Sequence, residues 1–178
     1  MALNRLALLR GINVGGKNKL PMKDLAAIFE ASGCENVRTF IQSGNVIFTA
    51  GPTVSKSLAD VIASKIEAQF GYRTPIILRT TEQLREAVRN NPFLKPGGVE
   101  DTLHVMFLAD RPNQAKIAAL DPGRSAPDAF TVVGREIYLQ LPNGMGRTKL
   151  SNAWFDSKLA TISTCRNWRT VTKLLEMM

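Results

Sequence analysis

Ten residues near the N-terminus, Arg10-Gly11-Ile12-Asn13-Val14-Gly15-Gly16-Lys17-Asn18-Lys19, combine three glycines with three bases. Glycine admits positive φ and lets successive backbone N–H groups converge on one concavity, which suits an anion. Arg10, Lys17 and Lys19 add full charges, and a helix opening at Pro21 adds the positive end of its dipole. The chemistry of such a segment is the holding of a phosphate or a carboxylate. A bland alternative stands beside it, a strand-to-helix connection that needs glycine only for turning. The spacing Gly11-x-x-x-x-Gly16-Lys17 also matches a nucleotide-binding P-loop. Two residues argue against that sharper reading. Asn18 stands where Ser or Thr should hold Mg²⁺, and Pro21 delays the helix so that Lys17 stays in the loop.

Ser43-Gly44-Asn45, between two strand-like runs, is strong hairpin chemistry. Asn13, Asn18, Ser43 and Asn45 supply neutral donors and acceptors of the kind that surround phosphate or ribose, although Ser43 and Asn45 also suffice to make a turn. Catalytic candidates are few. His104 is the only histidine and falls in an apolar run, so a structural role is expected for it. Cys34 and Cys165 stand alone, which excludes a Cys/His metal site and a disulfide framework. No residue is singled out as catalytic, no cofactor or metal is implied, and whether the chain is an enzyme is left open. Thr164-Cys165-Arg166-Asn167-Trp168-Arg169-Thr170 reads as a helix start capped by Thr164, with Arg166 and Arg169 free at an exposed edge and Trp168 on the apolar face.

The elements that must position these residues follow from periodicity. Leu6–Leu9 reads as a strand, Pro21–Phe29 as a helix stopped at Gly33, and Val37–Gln42 and Val46–Thr49 as a hairpin. Leu58–Phe70 reads as a second helix closed by Gly71, and Pro75–Arg79 as a strand. That order, β-α-β-β-α-β, is ferredoxin-like. It brings the glycine loop and the Ser43-Gly44-Asn45 turn out at the same end of the sheet. A connecting helix starts at Thr80 or Thr81, with Gln83 placed for a capping box, and ends at Asn91-Pro92. Lys95-Pro96-Gly97-Gly98 reads as a linker. The order then recurs: strand Leu103–Leu108, helix Pro112–Leu120, strands Phe130–Val133 and Glu136–Leu141, a helix around Asn152–Leu159, and a last helix containing Trp168, Val171 and Leu174. The expected fold is α+β, a tandem pair of ferredoxin-like subdomains with mainly antiparallel sheets. Its parts are 1–80, a connecting helix and linker at 81–101, and 102–178 with the C-terminal helix.

Composition narrows the partner. The 178 residues carry 23 Lys and Arg against 15 Asp and Glu, a net +8. Residues 1–23 hold five bases and no acid, and residues 147–178 hold six bases against two acids, so the middle is nearly neutral. If the fold joins the two basic segments they attract phosphates or carboxylates, and if it does not the charge serves solubility. No apolar run is long enough for a signal sequence or a membrane span, so a cytoplasmic protein without membrane contact is expected.

The chain resembles the bacterial proteins called the domain-of-unknown-function 1697 family. The likeness rests on Leu9-Arg10-Gly11-Ile12-Asn13-Val14-Gly15-Gly16-Lys17-Asn18, Gln42-Ser43-Gly44-Asn45-Val46, Asn91-Pro92-Phe93 and Thr164-x-Arg166-Asn167-Trp168. It implies the tandem ferredoxin-like fold and transfers no activity. Three functional classes follow. The first is an anion-binding module for a nucleotide or nucleic acid, using Arg10, Gly11, Asn13, Gly15, Gly16, Lys17, Asn18, Ser43 and Asn45, with Arg166 joining if the fold allows. The second is an enzyme acting on a phosphorylated or carboxylated small molecule, and the third a scaffold that binds partners at a sheet edge. Oligomeric state is not legible.

Overall fold

A computed structural model describes residues 3–51, 57–94 and 99–178. The Lys95–Gly98 linker expected from the sequence lies outside these residues. The contacts divide the chain into two units, Met1–Leu84 with Leu174–Met178, and Arg85–Lys173. One division falls inside the connecting helix, and the end of the last helix belongs with the first unit.

In the first unit the order is β1 (Leu3–Leu9), α1 (Met22–Glu30), β2 (Glu35–Phe40), β3 (Asn45–Ala50), α2 (Leu58–Phe70) and β4 (Ile76–Thr80). The sheet order is β2-β3-β1-β4 and every neighbouring pair is antiparallel. Strand alternation sorts the side chains. Ala7, Leu9, Val46 and Phe48 join Leu25, Phe29 and Ile62 of the helices in one core, while Leu6, Leu8, Ile47 and Ile77 are buried on the opposite sheet face. A sheet buried on both faces explains why β1 and β3 read as continuous apolar runs rather than alternating ones.

The second unit repeats the plan. After α3 (Thr81–Arg89) and a 3-10 turn at Glu100–Thr102 come β5 (Leu103–Leu108), α4 (Gln114–Ala118), β6 (Ala129–Val133), β7 (Glu136–Gln140), α5 (Asn152–Leu159), β8 (Ser163–Asn167) and α6 (Trp168–Met177). The sheet order β6-β7-β5-β8 is that of the first unit, again antiparallel throughout. Met106, Leu108, Ile137, Leu139, Phe155 and Leu159 form its core.

One expectation is overturned here. Residues 163–167 are the closing strand, not a helix start, and the helix cap is Asn167 rather than Thr164. Thr170 N–H donates to Asn167 Oδ1 at 2.8 Å. Consecutive strand residues point to opposite faces, and Ser163 and Thr164 are both buried, so their polarity hides the run from a hydrophobic reading. Arg166 is consequently not free: it is 7% exposed, and its Nη1 donates to Thr164 Oγ1 at 2.8 Å and Cys165 O at 2.7 Å. Trp168 is buried, as its place on the apolar face implies.

The register shows how closely the halves correspond. Arg79 lies opposite Leu6 and Ile77 opposite Leu8, while Arg166 lies opposite Val105 and Thr164 opposite Phe107. Arg79 and Arg166 therefore occupy the same position of the closing strand. Both are buried, and each donates Nη1 to the carbonyl of the residue before it, at 3.0 Å in Arg79 and 2.7 Å in Arg166. Each closing strand also runs straight into a capped helix. In the first repeat the cap is the expected box, Gln83 N–H to Thr80 Oγ1 at 3.2 Å and Thr80 N–H to Gln83 Oε1 at 3.0 Å. Because both caps satisfy otherwise orphaned N–H groups, Thr80→Ala and Asn167→Ala should each lower stability by about 1 kcal/mol in urea melts, with unchanged m-values.

Candidate functional site

Residues 10–21 link β1 to α1, and within them the chain folds back on itself. Lys17 N–H donates to Val14 O at 3.0 Å and Asn13 N–H to Asn18 O at 3.1 Å, so Val14-Gly15-Gly16-Lys17 is the turn of a miniature hairpin. Gly15 and Gly16 have φ of 58° and 74°, the positive pair that a type I′ turn requires. Asn13 and Asn18 are also left-handed, at 53° and 50°, a conformation asparagine tolerates better than other side chains. Their amides then fasten the loop. Asn13 Nδ2 donates to Leu20 O and to Gln42 O, both at 2.9 Å, and its Oδ1 accepts Leu20 N–H at 2.8 Å. Asn18 Nδ2 donates to Gly11 O at 2.9 Å.

The loop is tied to the sheet from two further sides. Tyr72 Oη donates to Asn18 O at 3.0 Å, and Thr74 Oγ1 to Arg10 O at 2.5 Å. The turn between β2 and β3 supplies the other anchor. It comprises Ile41–Gly44, and Asn45 is the first residue of β3, paired with Phe40 and Leu8 and fully buried. Asn45 was expected in the turn; its amide instead holds the turn from below, Nδ2 donating to Phe40 O at 3.1 Å and Ser43 Oγ at 2.9 Å. Gly44 O accepts Leu9 N–H at 2.8 Å. Ile41 is half-exposed with φ at 49°, a conformation costly for a β-branched side chain.

The expected meeting of glycine loop and hairpin turn is thus present. Arg10, Gly11, Asn13, Gly15, Gly16, Lys17 and Asn18 lie on one side of it, and Ser43 and Asn45 on the other. Arg166 belongs to the second unit, and its buried guanidinium is engaged there. Lys17 and Lys19 are exposed, and no described residue bonds their ammonium groups; the N–H groups of Gly15 and Gly16 are likewise unspent on described residues. Lys17 sits in the hairpin and α1 opens only at Met22, which is not P-loop geometry. Among the described residues no group of His, Cys, Asp and Glu is arranged to hold a metal ion, and no helix is long and apolar enough to cross a membrane.

His104 lies on the central strand β5, and burial draws its imidazole below the usual range. Its Nδ1 is buried without a hydrogen-bond partner, so the neutral ring is the form the fold accepts. The unfolded chain binds the proton more readily, so stability rises with pH. The loss should begin as pH falls through about 6.5, the unfolded value, and grow toward the lowered folded value. Urea midpoints between pH 7 and 5.5 should show this slope, and His104→Gln should flatten it.

A second measurement separates the glycines of the site. A Cβ on Gly44, at φ 79°, would meet Leu9 Cβ at 2.7 Å and Ile12 Cδ1 at 2.9 Å, whereas one on Gly15 would meet nothing within 4 Å. Gly44→Ala should therefore cost about 3 kcal/mol, from the left-handed backbone together with overpacking. Gly15→Ala should cost about 1 kcal/mol, from the backbone alone.

Residues 3–138 match the family described as "Protein of unknown function (DUF1697)". No curated protein matches the chain. Among solved structures, a conserved bacterial protein from Streptococcus pneumoniae superposes with a TM-score of 0.70 at 22% identity, over 99% of each chain. That likeness shows a shared fold.

Proposed function

The chain belongs to the DUF1697 family, described as proteins of unknown function, and we propose that its glycine loop binds the phosphate of a nucleotide or nucleic acid. The observation that carries this reading is rigidity combined with unspent charge. Asn13, Tyr72, Thr74 and the Ile41–Gly44 turn hold the loop's own backbone, while Lys17, Lys19 and the Gly15-Gly16 N–H groups are left to face solvent. A loop ordered before the ligand arrives spares the ordering entropy that a flexible basic segment loses on binding. Asn13 and Asn45 act in this reading by shaping the loop, since their amides are spent on the backbone and on Ser43. Lys17 and Lys19 provide the charge, joined by Arg10, and Asn18 and Ser43 border them.

Exposed lysine–phosphate contacts are individually weak and screened by salt, so the binding is electrostatic in character. Fluorescence anisotropy with a labelled single-stranded RNA, and calorimetry with a nucleotide, test it. Affinity for the RNA should fall with a log–log salt slope of about −2, for two to three neutralised phosphates. Lys17→Glu combined with Lys19→Glu should weaken binding at least about 10-fold at low salt, through reversed charge, and leave the melting temperature unchanged. Binding that is indifferent to both salt and charge reversal would overturn the proposal.

A further inference from the structure

We propose that the second unit carries a separate phosphate site at Arg124, Arg147 and Lys149, built on the ring of Trp154. Two surface loops meet there. Ser125 Oγ accepts Lys149 N–H at 2.9 Å and donates to Asp128 Oδ2 at 2.7 Å, and Arg124 Nε donates to Lys149 O at 3.1 Å. The Arg124 guanidinium lies 4.8 Å from the centroid of Trp154, and that indole is itself held edge-to-face by Phe130 and Phe155, with centroids at 6.0 and 4.7 Å.

The geometry divides the guanidinium's capacities cleanly. Its central carbon lies over the indole ring, and one N–H, that of Nε, is used by the Lys149 carbonyl. The N–H groups of Nη1 and Nη2 remain, and they bond to no described residue. Paired N–H groups on a planar ion are the fork that grips two oxygens of a phosphate. A guanidinium fixed in this way has already lost the rotamer freedom that an ordinary surface arginine loses on binding.

Charge around the fork points the same way. Arg147 and Lys149 are exposed, and their side chains bond to no described residue. Of the acids of the neighbouring loop, Asp121 Oδ1 accepts Gly123 N–H at 2.9 Å, and Asp128 is buried, its Oδ2 accepting Ser125 Oγ and its Oδ1 meeting no described partner. Elsewhere in the basic C-terminal segment Arg166 is buried and Arg169 pairs with Asp101 at 2.8 Å, while Lys158 and Lys173 are exposed on α5 and α6. Arg147 and Lys149 are thus one accessible part of that segment's surplus, set apart by the anchored Arg124 beside them, and the proposed site uses no residue of the glycine loop.

The ligand chemistry is a phosphate oxyanion, carried either by a small molecule or by a nucleic-acid backbone. Tryptophan emission reads the site directly, because Trp154 is partly buried beneath Arg124 while the chain's other tryptophan, Trp168, is 2% exposed. The protein is titrated with inorganic phosphate and, separately, with a ten-nucleotide single-stranded RNA. A saturable change in emission is expected. It should be absent in Trp154→Phe, shifted at least 10-fold to weaker binding in Arg124→Ala, and shifted several-fold in the Arg147→Ala/Lys149→Ala double variant. It should persist in Lys17→Glu/Lys19→Glu, which separates this site from the loop of the first unit. Saturation by phosphate assigns a free phosphate group, and saturation by the RNA alone assigns a nucleic-acid backbone. No saturable change with either probe, a change surviving in Trp154→Phe, or equal binding by wild type and Arg124→Ala overturns the proposal.

Discussion

The first unit is organised around a contact that only a hydrogen atom permits. Gly44 passes so near Leu9 and Ile12 that a methyl group in place of its hydrogen would sit 2.7 Å from Leu9 Cβ. That approach lets Gly44 O accept the last N–H of β1, and it sets the Ile41–Gly44 turn against the start of the glycine loop. Asn13 then reaches across to Gln42 O, and the carbonyls of Arg10 and Asn18 are taken by Thr74 and Tyr72. A long connection is thereby ordered with only Ile12 and Leu20 in the core: the carbonyls of Arg10, Gly11, Asn18 and Leu20 are taken by neighbouring side chains, while the Gly15 and Gly16 N–H groups stay unspent on described residues. The strained φ of Ile41 is accommodated within the same turn.

The two units share one backbone plan but not one use of it. Their closing strands place Arg79 and Arg166 at equivalent positions, each buried and folded back on the preceding carbonyl. Burial pulls the Arg166 guanidinium down to about 10, still charged at neutral pH, and pushes the neighbouring Cys165 thiol up to about 12. The connections differ instead. After β1 the chain runs through residues 10–21 with its glycine hairpin, whereas after β5 residues 109–113 reach a helix capped by Asn113 with no glycine at all. Duplicated scaffolds diverge most readily in their loops, because loop residues carry few packing obligations.

What was legible in the sequence was local or periodic. The Thr80–Gln83 box needs only three residues of spacing, and the β-α-β-β-α-β order follows from hydrophobic period and turn chemistry. The meeting of glycine loop and hairpin turn followed from topology. What failed was polar burial: β8 reads Ser-Thr-Cys-Arg-Asn, and nothing in that run announces an inward-facing strand. Its β-branched threonine and its position after a helix were the available hints. Asn45 misled for the same reason, since a turn-forming residue type was used as a buried strut. The pairing of Arg124 with Trp154 carries no sequence signal, because it depends on two loops meeting in space.

The assignment of Leu174–Met178 to the first unit bears on the order in which the molecule can be completed. Asn4 Nδ2 donates to Met178 O at 2.6 Å and Arg38 Nη2 to Met177 O at 2.6 Å, so β1 and the edge strand β2 each await carbonyls from far along the chain. A ribosome delivers residues in sequence, and the roughly 90 residues of the second unit take about 5–20 s to emerge between one part of the first unit and the other. The contiguous second unit is the piece that can close during synthesis. The N-terminal unit reaches its final set of bonds only after residues 174–178 have emerged, so the half translated first is completed after the second.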